Sequence, residues 1–360
     1  MSQPKKRVGP RRRVEGAMST SGGKRDGSRL ARALHGIVVA SIAIAFPGVG
    51  AGASQAAEPA AKPPASALAS AGATQKHFES PEDATDALVA AARAADPAAL
   101  LAVLGQEARP ILSSGDEVGD ESRRKRFIAS YDETFQLEPS DDDSEAQLVV
   151  GKDGWPFPIP IVKDQNGWFF DTEQGKEEIL DRRIGANELA TIQVCEAYVD
   201  AQREYAQRTV KGDEAPQYAQ RIVSTKNERD GLYWATKSGE QASPLGPLMA
   251  KAQQEGYSKT DSKPVPYHGY YYRILTKQGP NAPGGSYDYI VRGKMIGGFA
   301  LVAYPAEYDA SGVMTFVVNH DGVVYEKDLG PDTAALVEKM TSFDPDSSWT
   351  PLSKTETNPG

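Results

Sequence analysis

The sequence predicts an α+β fold in two domains, and three observations carry that reading. Apolar residues recur at helical spacing over 80–135 and again over 187–208. After each helical block the period changes to short runs bounded by turn residues, the mark of strands. No stretch of helix length separates the later runs, so their sheet is antiparallel.

Taken in order, the first helix opens at Ser80, a capping residue, with Pro81 suited to the first helical position and Ala84, Ala87, Leu88 and Ala91 on one face. Asp96-Pro97 repeats the signal, Leu100, Leu101 and Leu104 form the next stripe, and Gly105 ends it. A third helix over 122–135 aligns Phe127, Ile128, Tyr131 and Phe135. Strands are expected at 147–150, 159–162 and 167–171, with Asn166-Gly167 as a hairpin turn. The three prolines of 155–160 remove ladder donors and keep Trp155 out of a central strand. This first domain, residues 77–180, is a small unit of helices and antiparallel sheet.

The second domain, residues 181–345, opens with a long helix over 187–208 whose stripe holds Leu189, Ile192, Cys195, Val199 and Ala206. Residues 211–261 are loop-rich around Tyr233-Trp234, with a short helix at 248–255. A β-meander follows, with strands at 270–276, 287–292, 294–304, 313–319 and 323–327, and a closing helix at 332–340. The Ala/Pro-rich linker 57–76 and the tail 346–360 read as disordered, because such composition cannot bury enough apolar surface to offset ordering entropy.

The amino terminus is an address. A basic stretch, the apolar run 37–46, and small residues up to Ala56 make residues 1–56 a secretory signal peptide, so the product is expected in the periplasm or outside the cell. Pro47 ends the apolar run well short of a membrane span, so no stable membrane insertion is expected after cleavage. Residues 1–56 hold ten of the 40 Lys and Arg and two of the 49 Asp and Glu, which leaves 30 basic and 47 acidic residues, a net charge of −17. So acidic a chain has no cationic footprint for nucleic acid. A single cysteine, Cys195, allows no intrachain disulfide, and within a helical stripe it reads as a buried small hydrophobe.

Two clusters invite chemistry. Alternation in Gly269-Tyr270-Tyr271-Tyr272-Arg273 places Tyr270 and Tyr272 on one strand face and Arg273 on the other. A ligand-binding reading makes Tyr270 and Tyr272 an aromatic platform, with Arg273 gripping a carboxylate; the plain reading is strand packing. The second cluster would use His268 and His320 with Glu307 and Asp321 as a general base or metal ligands, although Asp321-Gly322 equally supplies a turn. Gly279 to Gly285 is not a phosphate-cradling loop, since Pro280 and Pro283 lack N–H donors. Nucleophile-elbow, Walker, His-Glu-x-x-His and EF-hand patterns are missing, so no cofactor and no metal is expected.

The segments 267–275, 293–308 and 319–327, with Trp168-Phe169-Phe170-Asp171-Thr172 and Arg182-Arg183-Ile184-Gly185-Ala186-Asn187-Glu188-Leu189, resemble a bacterial exported-protein family catalogued as domain of unknown function twenty-nine-fifty. That resemblance implies no activity. The first domain also resembles cystatin-like or nuclear-transport-factor-like folds in its helix order, the Asp96-Pro97 break and Trp168. The second resembles the globular part of type IV pilin-like proteins in its long helix with Asn187-Glu188, Gly269-Tyr270, Ala303-Tyr304-Pro305 and Asp321-Gly322, without the apolar helix of true pilins. The expected function is a non-catalytic binding or envelope-interaction module whose partner is an envelope protein, peptide or glycan. A hydrolase or metal-dependent enzyme built on the two histidines, and a self-associating pilin-like subunit, are the alternatives.

Overall fold

The structure, a computed structural model, describes residues 75–209, 215–258 and 264–352. The signal peptide and residues 57–74 of the linker lie outside the described residues. Helices α1 (Pro81–Ala94), α2 (Pro97–Leu104), α3 (Arg109–Leu112) and α4 (Glu117–Glu133) come first. Strands β1 (Phe135–Pro139), β2 (Glu145–Val150), β3 (Trp155–Pro156), β4 (Ile161–Asp164) and β5 (Gly167–Phe170) follow. The helix starts obey local chemistry: Ser80 Oγ accepts from Asp83 N at the head of α1, and Asp96 Oδ1 accepts from Ala98 N and Ala99 N at the head of α2. The strands form an antiparallel sheet in the order β1-β2-β4-β5, with β3 paired to β2. Leu88, Leu101, Leu104, Ile159, Ile161, Trp168 and Phe170 close the core between helices and sheet. Phe135, expected at the end of a helix, instead opens β1, because α4 ends at Glu133.

Helix α5 (Thr172–Thr209) starts well before the expected Asn187 and runs through the 180/181 boundary, so one helix packs against α3 in the first half and against strands of the second. The early start depends on Gly175, where a Cβ would stand 2.3 Å from the Pro158 carbonyl oxygen. The buried face of α5 includes Asn187, Thr191, Val194, Cys195, Tyr198, Val199, Ala201, Gln202, Tyr205 and Ala206; Leu189, assigned to it from spacing, is 66% exposed. Cys195 is a buried free thiol, and burial pushes its pKa far up, which removes nucleophilic character.

The remaining elements are β6 (Arg221–Val223), β7 (Gly231–Tyr233), α6 (Gly246–Gln254), β8 (Tyr270–Leu275), β9 (Lys277–Gln278), β10 (Tyr287–Asp288), β11 (Ile290–Val291), β12 (Lys294–Met295), β13 (Ala300–Pro305), β14 (Met314–Asn319), β15 (Val324–Asp328), α7 (Thr333–Lys339) and β16 (Thr350–Pro351). The second sheet is antiparallel in the order β16-β15-β14-β13-β8. It differs from the expected meander in two places. Residues 287–295 leave the sheet as the two-residue pairs β10-β9 and β11-β12, since Gly297 and Gly298 break the run before β13. The tail supplies β16, with Glu326 paired to Thr350, so residues 346–352 are part of the fold and only 353–360 lie outside the described residues. Gln75 and Lys76, at the end of the expected linker, are likewise anchored, through the carbonyls of Val103, Phe170 and Ala102. Helix α5 packs on β13, β14 and β15, and α7 on β13. Among the described residues no helix is long and apolar enough to cross a membrane.

Candidate functional site

The structure places the aromatic strand face inside the core. Tyr270 and Tyr272 are 0% and 2% exposed. Tyr270 Oη donates to the Met314 carbonyl at 2.9 Å, and Tyr272 Oη lies 3.3 Å from Thr191 Oγ1 on α5. Gly312 must be glycine for Tyr270 to fit, because a Cβ there would meet Tyr270 Oη at 2.0 Å. A ligand platform needs an open face, and α5 covers this one: alternation correctly separated the two faces but could not say which was covered. Arg273, on the opposite face, donates to the carbonyls of Val337 and Met340 at the carboxyl end of α7. There it adds donors to the last carbonyls of the helix and complements the helix dipole rather than holding a carboxylate.

The four residues of the histidine cluster divide into two pairs. His268 precedes β8 at the end where Tyr270 pairs with Pro305, and Glu307 follows that proline; His320 follows β14 at the end where Asn319 pairs with Ala300, which pairs with Leu275. Five strand steps separate the two ends, about 17 Å. His268 and His320 therefore cannot act on one substrate atom or ligate one metal ion. Among the described residues no three His, Cys, Asp or Glu side chains gather to hold a metal.

At the first end, Glu255 rather than Glu307 faces His268, with Nε2 to Oε2 at 3.5 Å, too long for a strong hydrogen bond. The same carboxylate oxygen accepts from Tyr267 Oη at 2.8 Å, while Tyr267 and Tyr257 flank the imidazole at centroid distances of 4.2 and 6.1 Å. Asp116, 1% exposed, caps α4 through Gly119 N and also accepts from Tyr257 Oη and Gly269 N, both at 2.8 Å. Desolvation lowers the His268 pKa below its ordinary value, only partly offset by the negative Glu255 and Asp116. Burial followed by Asp116 raises Tyr257, and burial followed by the Glu255 hydrogen bond raises Tyr267. His268 is thus a neutral imidazole among phenols and a carboxylate, with φ +48°, in a tightly joined seam between α4 and β8.

At the second end the loop containing Pro280 to Ser286 and the turn at His320 do meet. Tyr287 Oη lies 3.4 Å from His320 Nε2, and Tyr289 Oη donates to Gln278 Oε1 at 2.9 Å. Gln278 Nε2 ties the carbonyls of Pro283 and Gly285, which fixes the proline loop. Asp321 stays in its turn, where its N–H donates to Asn319 Oδ1. A shallow cavity of about 400 Å³ lies beside this junction, lined by Lys277, Gln278, Tyr287 and Asp288 among others. Three of the seven exposed large hydrophobic residues among the described residues, Tyr287, Val291 and Ile296, sit on this one short excursion.

Spacing gave no hint of a second polar seam along α5. Arg183, 6% exposed, donates to the carbonyls of Pro110, Ile111 and Ala310. Burial pushes its pKa down to about 10, leaving the guanidinium charged. One turn on, Asn187 Nδ2 donates to Ser311 O, and Glu188 Oε1 accepts from Val313 N and Met314 N. The segment 182–189 that carried part of the family resemblance is accordingly a structural grip on the turn before β14.

A family model described as "Protein of unknown function (DUF2950)" matches residues 75–352. No curated protein and no solved structure matches the chain.

Proposed function

The chain belongs to the DUF2950 family, a membership that brings no activity with it, and we propose that it is a non-catalytic binding module of the cell envelope that docks a protein partner through residues 287–296. The observation carrying this reading is the exposure of Tyr287, Val291 and Ile296 on one excursion, fixed to the body by the Tyr287–His320 contact and by Tyr218 N donating to Met295 O. Exposed apolar groups held on a rigid base are what a specific interface requires, since little ordering entropy remains to be lost. Export rests on the basic, apolar and small-residue order of residues 1–56. The pilin-like reading draws support from α5 lying along an antiparallel sheet, and it would make the partner a second copy of the chain.

The test is cross-linked co-purification from intact envelopes with the wild type and a Tyr287→Ser, Val291→Ser, Ile296→Ser variant. Loss of a wild-type partner from a variant that keeps its circular dichroism and melting temperature supports the proposal. Recovery of the same partner set from both sinks it. Sedimentation of the wild type over a concentration series separates self-association from binding to another protein.

A further inference from the structure

A different groove, sharing no residue with the 287–296 surface, lies where the end of α5 meets β7 and α6. Its volume is about 350 Å³, and its walls include Tyr233, Trp234, Ser243, Pro247, Ala250 and Gln253. That volume suits a single residue-sized ligand rather than a long polymer.

The polar chemistry here is out of balance. Among the described residues, eight buried side-chain nitrogen or oxygen atoms lack a partner, and three of them are Arg208 Nε, Trp234 Nε1 and Ser243 Oγ. An unpaired buried polar group costs about 1–3 kcal/mol, so a fold tolerates such groups sparingly. Two of the three can only donate, and Ser243, 2% exposed on the groove wall, can donate as well. The site therefore lacks acceptors, not donors.

The surrounding charge has the same sense. The guanidinium carbons of Arg208 and Arg229 stand 5.9 and 5.5 Å from the Trp234 ring centroid. Arg208 binds Glu204 and the Ala242 carbonyl, whereas Arg229 reaches Glu240 only at 3.7 Å in an open, solvent-screened pair. The nine-residue helix α6 starts at the groove with Gly246 and Pro247, and no side chain caps its amino end. Such an end carries partial positive charge and favours an anion. The aromatic and aliphatic walls ask in turn for an apolar body.

We infer that this groove binds a carboxylate attached to an apolar residue-sized group, either the carboxyl terminus of a peptide or a free organic acid. The carboxylate takes the acceptor positions opposite Ser243 and Trp234 Nε1 at the start of α6 once side-chain rotation opens these two solvent-closed atoms to the groove, and the apolar group lies against Tyr233, Trp234 and Pro247. Capture of a peptide carboxyl terminus by converging donors is an established mode of recognition. A saccharide fits less well, because its hydroxyls also need acceptors, and the unpaired groups here supply donors.

The experiment titrates the intact protein with N-acetylphenylalanine, its carboxamide, the acetylated tripeptide Ala-Ala-Phe with a free carboxyl end, and maltose, followed by calorimetry and tryptophan fluorescence. Saturable binding of the acids is expected, with the carboxamide about tenfold weaker or worse. Trp234→Phe, which keeps a ring but removes the N–H, and Ser243→Ala should each weaken the acids by about tenfold. Ser243→Ala should melt no lower than the wild type without ligand, and Trp234→Phe should keep the wild-type circular dichroism and a cooperative melt despite the packing lost with the indole, which separates a lost contact from a lost fold. Tighter binding of the tripeptide points to a peptide terminus and equal binding to a free acid; both support the site. No binding of any acid, equal binding of acid and carboxamide, wild-type binding by both variants, or binding of maltose alone would overturn it.

Discussion

The seam along α5 and α4 and the groove at Trp234 both contain buried polar side chains, and they bond them to different extents. In the seam, Arg183 meets three carbonyls, Glu188 two amides, and Asp116 two amides and a phenol. In the groove, Arg208 Nε, Trp234 Nε1 and Ser243 Oγ meet nothing. The seam's many bonds serve the fold even though Arg183 Nε, Glu255 Oε1 and His268 Nε2 within it lack a hydrogen-bond partner, whereas unpaired donors beside a groove mark a place where something outside the fold can contribute free energy. Neither burial nor an unpaired atom alone distinguishes them; the groove beside Trp234 and Ser243 does.

The largest effect is expected at Asp116. Replacing it with alanine strips Gly119 N, Tyr257 Oη and Gly269 N of their acceptor at once, and a loss of about 3 kcal/mol in chemical denaturation is expected. Arg183→Met should cost less, about 2 kcal/mol, because removing the cation also removes its desolvation penalty and leaves an apolar stem in place. A neutral Arg183→Met would break the comparison by showing that the three carbonyl bonds of Arg183 contribute nothing net.

A smaller effect concerns pH. His268 is neutral in the fold and faces Glu255, Asp116, Lys251 and Arg123, with its pKa held below the ordinary 6.5 chiefly by desolvation. The unfolded chain then binds the proton more readily, so this contribution to stability is complete above about pH 6.5 and is lost as the pH falls toward the folded value. His268→Gln should flatten the dependence of melting temperature on pH between about 7 and 5. The smallest effect sharpens the contrast: Ser243→Ala should leave stability within about 0.5 kcal/mol of the wild type or raise it, since it deletes an unpaired hydroxyl.

How much of this was legible can be argued residue by residue. Ser80, Asp96 and Gly105 announced their helix ends because capping is local chemistry, read within four residues. The faces of β8 followed from alternation, yet the open platform expected at Tyr270 and Tyr272 is covered by α5. The pairing of His268 with Glu255, instead of with His320 and Glu307, depends on where α6 and β8 come to rest, which no spacing encodes. Trp234 and Ser243 lay in a stretch that read only as loop, and nothing periodic distinguishes a donor that will lack a partner from one that will find it.

Local pattern was enough for the α+β class, the caps of the first two helices, the antiparallel pairing of the second sheet, the buried state of Cys195 and the family. Each follows from interactions between residues close along the chain, or from a pattern repeated often enough to survive without coordinates. Long-range packing decided that α5 reaches from α3 to the second sheet, that the two histidines stand at opposite ends, that residues 287–296 leave the sheet, and that three donors go unpaired beside α6. These are properties of groups far apart in the chain, and their physical origin is the same: desolvation and hydrogen-bond partnership depend on which surfaces meet, and only the folded chain brings those surfaces together.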